Sequence, residues 1–364
     1  MKYSSEFRDP QLAAALVAAI AAEVRDYSGV MTLMEVCGTH TMSIYQHGIR
    51  SLLPEPIRLI SGPGCPVCVT PIGYVDRAVA YARQPDTIIA TFGDMVRVPG
   101  STSSLLREQA TGAEIRIVYS PLDAVKLAVK HPAKRVIFLG VGFETTAPTI
   151  GGSLLEAKRL DLKNYYVFCA HKTIPGPMAA LTSDPELQVD GYICPAHVSA
   201  VIGADAYRPL ADECGVPCVV TGFEPLDMLR GIQLLARQVV GGRAEVENPY
   251  RRIVRPEGNR RALQILRQVF EPCDANWRGI GLLPGSGLKL RDAFAQFDAE
   301  QQLPADVEAA KEHQGCLCGE ILKGKRGPKE CPLFRNGCAP ESPVGACMVS
   351  SEGTCAAEYK YGTV

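Results

Sequence analysis

Eight short apolar runs alternate with helical patterns through the first two-thirds of the chain, and this alternation constrains the fold most. The runs are rich in β-branched residues, as in strands buried on both faces. They lie at 30–36, 57–61, 87–92, 115–119, 135–140, 165–169, 190–194 and 217–221. Helical patterns lie at 40–53, 73–83, 100–110, 121–130, 147–159, 176–182, 198–203 and 225–239. The alternation predicts two Rossmann-like α/β domains with parallel sheets, whose chemistry sits where strands end.

Breaks in this pattern divide the chain into four predicted parts. Asp9 and Pro10 are typical of the N-cap and first position of a helix. The predicted parts are an N-terminal helix in 1–29, a first α/β domain in 30–133, a second in 134–241 and a C-terminal domain in 242–364. We expect the N-terminal helix to pack on the C-terminal domain.

The C-terminal part changes character after Gly241 and Gly242. A helix is predicted over 257–271, and a short strand and turn over 280–290. The residues beyond Cys316 show almost no periodicity. Because such a segment cannot build a core from side chains alone, we expect a metal centre to nucleate its fold.

Charge and hydropathy favour a cytoplasmic protein. The chain has 38 basic and 39 acidic residues, so it carries no strong field for nucleic acid or an anionic membrane. The Ala-rich run at 12–22 is expected to be an ordinary helix rather than a signal peptide. No apolar stretch reaches the roughly 18 residues of a membrane span. In a reducing compartment, the 14 cysteines are expected to be catalytic or metal-binding more often than structural.

Two cysteine motifs follow predicted strands. Cys37 leads into a helix, where the dipole and free N–H groups favour a thiolate, and His40 is near enough to be a ligand, a proton partner or an orienting group. Cys65 and Cys68 form a C-x-x-C at a strand-to-helix turn, which suits a redox dithiol or two of four metal thiolates. The structural alternatives are a buried strand-end cysteine and a tight turn of small residues.

Two further strand ends carry polar residues that would face the same crevice. The loop 140–149 contains Glu144 but matches neither G-x-G-x-x-G nor a Walker A motif. Capping of the next helix by threonines is the structural alternative for this loop. His197 follows the strand at 190–194. A lone histidine is more often structural than a ligand, but three thiols at the same sheet edge favour a functional role.

Six cysteines crowd the aperiodic tail. They are Cys316, Cys318, Cys331, Cys338, Cys347 and Cys355. Thiolates in this number suit zinc or an iron–sulfur cluster, and the spacings do not repeat the C-x₂₋₄-C knuckle of structural zinc sites. A [4Fe–4S] cluster needs four of the six, and loop reach favours Cys318, Cys331, Cys338 and either Cys347 or Cys355. The remaining cysteines are expected to lie mainly in the core: Cys169, Cys194, Cys214, Cys218 and Cys273.

Four motifs together resemble the HypD family of hydrogenase maturation factors. They are Cys37-Gly-Thr-His-Thr, Gly62-Pro-Gly-Cys-Pro-Val-Cys-Val-Thr, Gly142-Phe-Glu-Thr-Thr-Ala-Pro and Cys347-Met-Val-Ser-Ser-Glu-Gly-Thr-Cys355. The motifs appear in family order and span nearly the whole chain. One departure is Ala196 before His197, where the family pattern has Gly.

The resemblance implies two α/β domains facing a cleft and a small C-terminal domain that holds a [4Fe–4S] cluster. It implies a scaffold that helps to build the Fe(CN)₂CO group of [NiFe] hydrogenases with a HypC-type chaperone and a HypE-type cyanide donor. The hydrogenase large-subunit precursor would be an indirect partner. Cys37 would hold the Fe(II) cargo with its cyanide and CO ligands, and Cys65 and Cys68 would be a redox dithiol. Because cyanide ligands accept hydrogen bonds, His40, Glu144 and His197 are our own candidates for contacts with the iron-bound groups.

Two rival functions remain open at this point. The first is a thiol–disulfide oxidoreductase that is fed by the cluster and holds no iron cargo. The second is a protein whose tail binds structural zinc and only docks partners.

Overall fold

The structure is a computed structural model that describes residues 5–307 and 309–362. Its strands are β1 Met31–Glu35, β2 Ile57–Ser61, β3 Thr87–Thr91, β4 Glu114–Ile117, β5 Arg135–Gly140, β6 Tyr165–Cys169, β7 His171–Lys172, β8 Gly191–Pro195, β9 Cys218–Thr221, β10 Val246–Glu247, β11 Phe270–Trp277 and β12 Gly281–Leu290. All eight predicted strands of the first two-thirds are confirmed, with ends that differ by two residues or fewer.

Helices connect most of these strands. They are α1 Pro10–Glu23, α2 Gly38–Gln46, α3 Ile49–Leu52, α4 Pro66–Val69, α5 Ile72–Ala82, α6 Gly93–Arg97, α7 Leu105–Ala110, α8 Pro121–Lys130, α9 Ala147–Arg159, α10 Pro175–Thr182, α11 Ala196–Ile202, α12 Arg208–Asp212, α13 Pro225–Val240, α14 Arg260–Val269, α15 Ala299–Gln302, α16 Cys318–Leu322 and α17 Thr354–Tyr361. The helix predicted over 40–53 is broken at Gly48, whose φ of +60° lies in the left-handed region that favours glycine. Among the described residues, no helix has the length and apolar character needed to cross a bilayer.

Two parallel sheets form the body of the fold, as the α/β prediction requires. The first sheet has the strand order β10-β9-β8-β1-β2, and the second has the order β4-β3-β5-β6. Their central strands are buried on both faces. This burial explains the continuous apolar runs in the sequence.

The chain passes from the first sheet to the second and then returns. Strands β1 and β2 belong to the first sheet, β3 to β6 to the second, and β8 to β10 to the first again. The predicted limits 30–133 and 134–241 therefore do not separate the sheets, because each range contributes strands to both. The reason is that pairing between distant strands, rather than order along the chain, decides which sheet a strand joins.

A third sheet is antiparallel, with the order β11-β12-β7. The helix predicted to run to residue 271 ends at Val269, and the chain continues directly as β11. Residues 271–276 alternate between half-buried and exposed, which is the period of a strand rather than a helix. Pro272 fits this position because β11 is an edge strand.

The N-terminal helix packs on the first sheet's layer, which corrects the expectation that it would pack on the C-terminal part. Helix α1 lies along α13, and Ile20 and Val24 join the apolar core beneath it. A salt bridge of 2.6 Å between Arg237 and Glu23 links the same two helices. Asp9 caps α1 as predicted, since its carboxylate accepts the N–H groups of Gln11 and Leu12.

The C-terminal tail crosses to the first sheet's strand ends. Helix α17 contacts α2, and the short 3₁₀ helix Ala346–Met348 contacts α4. The tail thus lies against the two helices that begin at Cys37 and Cys65. Packing between remote segments thus brings Cys37, the Cys65–Cys68 pair and the cysteine-rich tail to one region.

Candidate functional site

Three strand ends of the first sheet bring Cys37, Cys65 and His197 together. Cys37 follows β1, Cys65 follows β2, and His197 lies two residues after the end of β8. Parallel neighbours in a sheet end at the same edge, so the three residues meet there. The Cys37 Sγ lies 3.9 Å from His197 Nε2. The two cysteine turns are also joined, since the Gly38 N–H donates to the Gly64 carbonyl at 3.1 Å.

Cys37 is only 2% exposed, and this burial opposes the effect of the helix start on the pKa of its thiol. Burial raises the pKa of Cys37 well above its usual value, and the nearby carboxylates of Glu352 and Glu35 add to the rise. The N–H groups of His40 and Thr39 at the start of α2 lower the pKa but do not outweigh burial. Burial therefore opposes the thiolate that this helix start favours, and a bound metal ion would displace the thiol proton.

The carboxylate of Glu35 binds the Cys37 turn through hydrogen bonds, and the sequence analysis did not identify this residue. The Cys37 N–H donates to Glu35 Oε2 at 2.9 Å, and the Thr41 hydroxyl donates to the other carboxylate oxygen. Burial raises the pKa of Glu35 to about 7. The only available signal was a charged residue inside an otherwise apolar strand.

His40 is fully buried and fixed by its Nε2. This atom lies 3.0 Å from the Gly222 carbonyl and 2.9 Å from the Thr221 hydroxyl, at the end of β9. With the proton assigned to Nε2, the unpartnered Nδ1 is a free acceptor. Burial lowers the pKa of His40 to about 4, so the ring is neutral near pH 7.

His197 has a similar environment, and burial lowers its pKa to about 4. Its ring lies 5.1 Å from that of Phe223, and the His40 ring lies 4.8 Å from Phe223 on centroid distances. Phe223 thus positions both imidazoles, which the sequence analysis missed because an aromatic residue after a strand carries no local signal of function.

Glu144 is buried apart from this group. Its Oε1 accepts the N–H of Ile174 at 2.9 Å, and its Oε2 has no partner. Burial raises the pKa of Glu144 to about 7. The hydrogen bonds of Glu144 therefore connect it to the start of α10 and do not reach Cys37, His40 or His197.

A disulfide joins Cys65 and Cys68 at the start of α4. Both residues are buried, and Cys65 is the N-cap of the helix. The Cys68 Sγ lies 3.8 Å from the carbonyl oxygen of Ala346, the residue before Cys347. The C-x-x-C pair is thus in contact with the cysteine-rich tail.

All six tail cysteines line one narrow cavity, together with Ile321, Phe334, Gly345 and Met348. Side-chain hydrogen bonds connect Cys316, Cys318, Cys347 and Cys355 in a chain. Hydrogen bonds with the thiols of Cys316 and Cys347 hold the pKa of Cys318 well below its usual value. In the part of the chain that the structure describes, no three His, Cys, Asp or Glu side chains stand in a metal-ligating arrangement, and these thiols contact one another instead.

The donor set still fits a sulfur-ligated centre. Six thiols share one cavity whose other lining side chains are apolar, and soft thiolates suit iron–sulfur clusters or zinc. Cys316 and Cys347 belong to the chain of bonded thiols, whereas Cys331 and Cys338 line the same cavity outside that chain. The Cys338 Sγ instead accepts the backbone N–H of Val344 at 3.4 Å. The choice of Cys318, Cys331, Cys338 and Cys355 as ligands stays a prediction.

The five remaining cysteines differ in exposure. Cys194 and Cys218 are buried, Cys169 and Cys273 are half-buried, and Cys214 is exposed; all five are free thiols. The core prediction is therefore confirmed for two of them and wrong for Cys214.

The tail also covers the Cys37 turn directly. The Thr39 hydroxyl donates to the Glu352 carboxylate at 2.8 Å. A Cβ on Gly38 would lie 2.4 Å from the Cβ of Glu352, so only glycine permits this close approach. Glu352 is another site residue that the sequence analysis did not identify.

Comparison with known proteins gives consistent matches over the full length. The family model described as "HypD: Hydrogenase formation hypA family" matches residues 11–362. The chain is 49% identical to the hydrogenase maturation factor HypD of Azotobacter vinelandii, over 100% of this chain and 97% of that protein. It is 46% identical to HypD of Rhodobacter capsulatus, over 100% and 98%, and 44% identical to HypD of Escherichia coli K12, over 99% and 98%.

Proposed function

Because the chain belongs to the HypD family of hydrogenase maturation factors, we propose that it is the scaffold on which the Fe(CN)₂CO group of a [NiFe] hydrogenase is assembled. The observation that carries the proposal is the contact of three chemically distinct cysteine groups at one sheet edge. Cys37 lies against His197, the tail residue Glu352 covers the Cys37 turn, and Cys68 touches Ala346.

Cys37 is the proposed ligand of the iron cargo. Fe(II) with cyanide and CO ligands favours a soft thiolate, and binding to iron would remove the proton that burial otherwise retains. A HypC-type chaperone would supply a second thiolate from its own cysteine. Neutral His197 can donate a hydrogen bond to a cyanide nitrogen without adding charge, and His40 would do so only from the tautomer that carries its proton on Nδ1. The role assigned to Glu144 requires the loop after β5 to approach the cargo when partners bind.

Cys65 and Cys68 are the proposed redox pair. Reduction of their disulfide breaks one S–S bond and takes up two electrons and two protons to give two thiols. A one-electron donor protein must supply the electrons. A [4Fe–4S] cluster held by four of the six tail thiols would supply single-electron chemistry beside the pair.

The same proposal names the partners and the compartment. A HypE-type protein would deliver cyanide, and the hydrogenase large-subunit precursor would receive the finished group through the chaperone. Free and metal-binding cysteines in this number are typical of a reducing compartment, so we propose a cytoplasmic location.

Infrared spectroscopy tests the scaffold. The chain is co-purified without oxygen with its HypC-type chaperone, and the cyanide and CO stretching region is recorded. We expect bands in the unaltered complex, loss of the bands in Cys37→Ala, and retention in Cys214→Ala, a matched control at an exposed free thiol. Bands that persist in Cys37→Ala would show that Cys37 is not the iron ligand.

A cluster-fed thiol–disulfide oxidoreductase is the second candidate, favoured by the contact between Cys68 and Ala346. This alternative predicts no infrared bands in the unaltered complex. It also predicts that Cys65→Ser abolishes thiol–disulfide exchange whereas Cys37→Ala does not. Stoichiometric zinc without iron or sulfide would refute both candidates and support a docking protein with a zinc tail.

A further inference from the structure

Arg278 is a buried cation that is incompletely paired. It lies in the turn between β11 and β12, and its side chain is 3% exposed. Its backbone N–H donates to the Val69 carbonyl and its Nε to the Thr70 carbonyl, each at 2.9 Å. Its Nη2 has no hydrogen-bond partner. Burying a guanidinium is costly unless its charge and its donors are matched, so the arrangement calls for additional negative charge.

The only carboxylate paired with Arg278 among the described residues does not meet this need. The Arg278 Nη1 lies 3.2 Å from Glu312 Oε2, and the Glu312 side chain is 56% exposed. Water screens a carboxylate at that position, so Glu312 neutralises the buried guanidinium only in part. The unpaired Nη2 remains inside the protein.

The turn that carries Arg278 is pressed against the first residues of α16. A Cβ on Gly279 would lie 2.2 Å from the Cα of Gly319, the residue after Cys318. Cys318 is buried and lines the six-thiol cavity, so the Arg278 turn packs directly against the segment that carries one of the tail thiols. Arg278 therefore stands between the end of the Cys65–Cys68 helix and the tail thiols.

We propose that Arg278 is the internal counter-charge of the tail's metal centre and raises its reduction potential. This inference rests on the proposed cluster. A thiolate-ligated cluster carries net negative charge, and a one-electron reduction adds another. A fixed cation nearby stabilises the reduced form more than the oxidised form, and therefore favours uptake of the electron. The same side chain holds the C-terminal end of α4 through Thr70, so it couples the cluster region to the disulfide helix.

Redox titration of the full chain, followed by electron paramagnetic resonance, tests the inference. The variant is Arg278→Gln, which removes the charge but retains an amide donor. We expect the ratio of reduced to oxidised cluster at a fixed potential to fall about tenfold, or 59 mV for a one-electron couple. Arg326→Gln is the control, because Arg326 is an exposed tail arginine with a single partner, Glu330, and we expect no shift there.

A second variant keeps the inference testable if Arg278→Gln does not fold. Glu312→Gln removes the exposed carboxylate that competes for Arg278, and its position makes a folding defect unexpected. We expect Glu312→Gln alone to raise the reduced fraction of the cluster at a fixed potential. The rise should be smaller when Glu312→Gln is combined with Arg278→Gln. If Arg278→Gln does not fold, an unchanged reduced fraction in Glu312→Gln overturns the inference.

The outcomes also separate this inference from the proposed function. A wild-type chain that carries iron and sulfide, and whose potential is the same in Arg278→Gln, overturns the counter-charge alone. A wild-type chain without acid-labile sulfide refutes the cluster and the counter-charge together. A downward shift confined to Arg278→Gln supports the counter-charge, because a purely structural role for Arg278 would not move the potential of the retained cluster.

Discussion

Replacing Gly38 with alanine should detach the tail from the Cys37 turn. The new Cβ would lie 2.4 Å from the Cβ of Glu352 and 2.6 Å from its carbonyl oxygen. Ordinary contact begins near 3.4 Å, so the tail backbone would have to move by about 1 Å. Overpacking of this kind costs roughly 1–3 kcal/mol, and loss of the hydrogen bond between Thr39 and Glu352 would add about 1 kcal/mol.

Gly152→Ala is the matched control, because Gly152 also lies in a helix and its Cβ would meet nothing within 4 Å. Alanine at such a position should stabilise the protein by roughly 0.5–1 kcal/mol. Urea unfolding of the two variants measures the difference, and alkylation of Cys37 measures whether the tail has opened. We expect Gly38→Ala to unfold at lower urea and to expose Cys37. Equal unfolding midpoints for Gly38→Ala and wild type would refute the close contact between the tail and α2.

Three further predictions concern stability. The folded-state pKa of Glu144 is raised to about 7, so its protonated form stabilises the fold below about pH 4.5 and that contribution is lost as pH rises through 7. In urea unfolding, Glu144→Gln should lose about 3 kcal/mol less free energy of unfolding than wild type between pH 4.5 and 8. An unchanged dependence of stability on pH would contradict the raised pKa of Glu144. Trp277→Phe should cost about 1–3 kcal/mol, because it leaves the buried Ser286 hydroxyl without the indole N–H at 2.8 Å; calorimetry against Tyr119→Phe, at an exposed ring, measures this. Removal of iron by a chelator should lower the melting temperature of the wild-type chain and leave that of Cys318→Ser nearly unchanged, provided that Cys318 is a ligand; equal losses in the two would contradict that role.

Local patterns in the sequence predicted most of the strands and helices. The runs at 135–140 and 165–169 coincide with β5 and β6, because a continuous β-branched run between helical patterns has few other stable conformations. Strand β11 was missed because the prediction used only local patterns. The amphipathic pattern of α14 continues into Phe270, and no residue at that boundary signals the change of period.

Parts of the candidate site were also predictable. Cys37, Cys65 and His197 lie at or just after strand ends, so their meeting at one sheet edge follows from parallel pairing. Arg278 and Glu352 were not predictable, because each lies in a turn or loop and reaches the site only through contacts with a distant segment. The sequence indicated that the helix start favours a thiolate at Cys37, but the burial that opposes it is a property of the folded chain and carries no local signal.

The sequence by itself therefore determined the fold class, the chemical identity of the cysteine groups and the family. Those properties depend on residue types and on short-range spacing, which the chain carries before it folds. Tertiary structure alone decided which strands share a sheet, that the tail covers Cys37, and that Arg278 is buried beside Cys318. These three features depend on which distant segments bury their apolar surfaces against each other, and such burial is decided only when the whole chain packs.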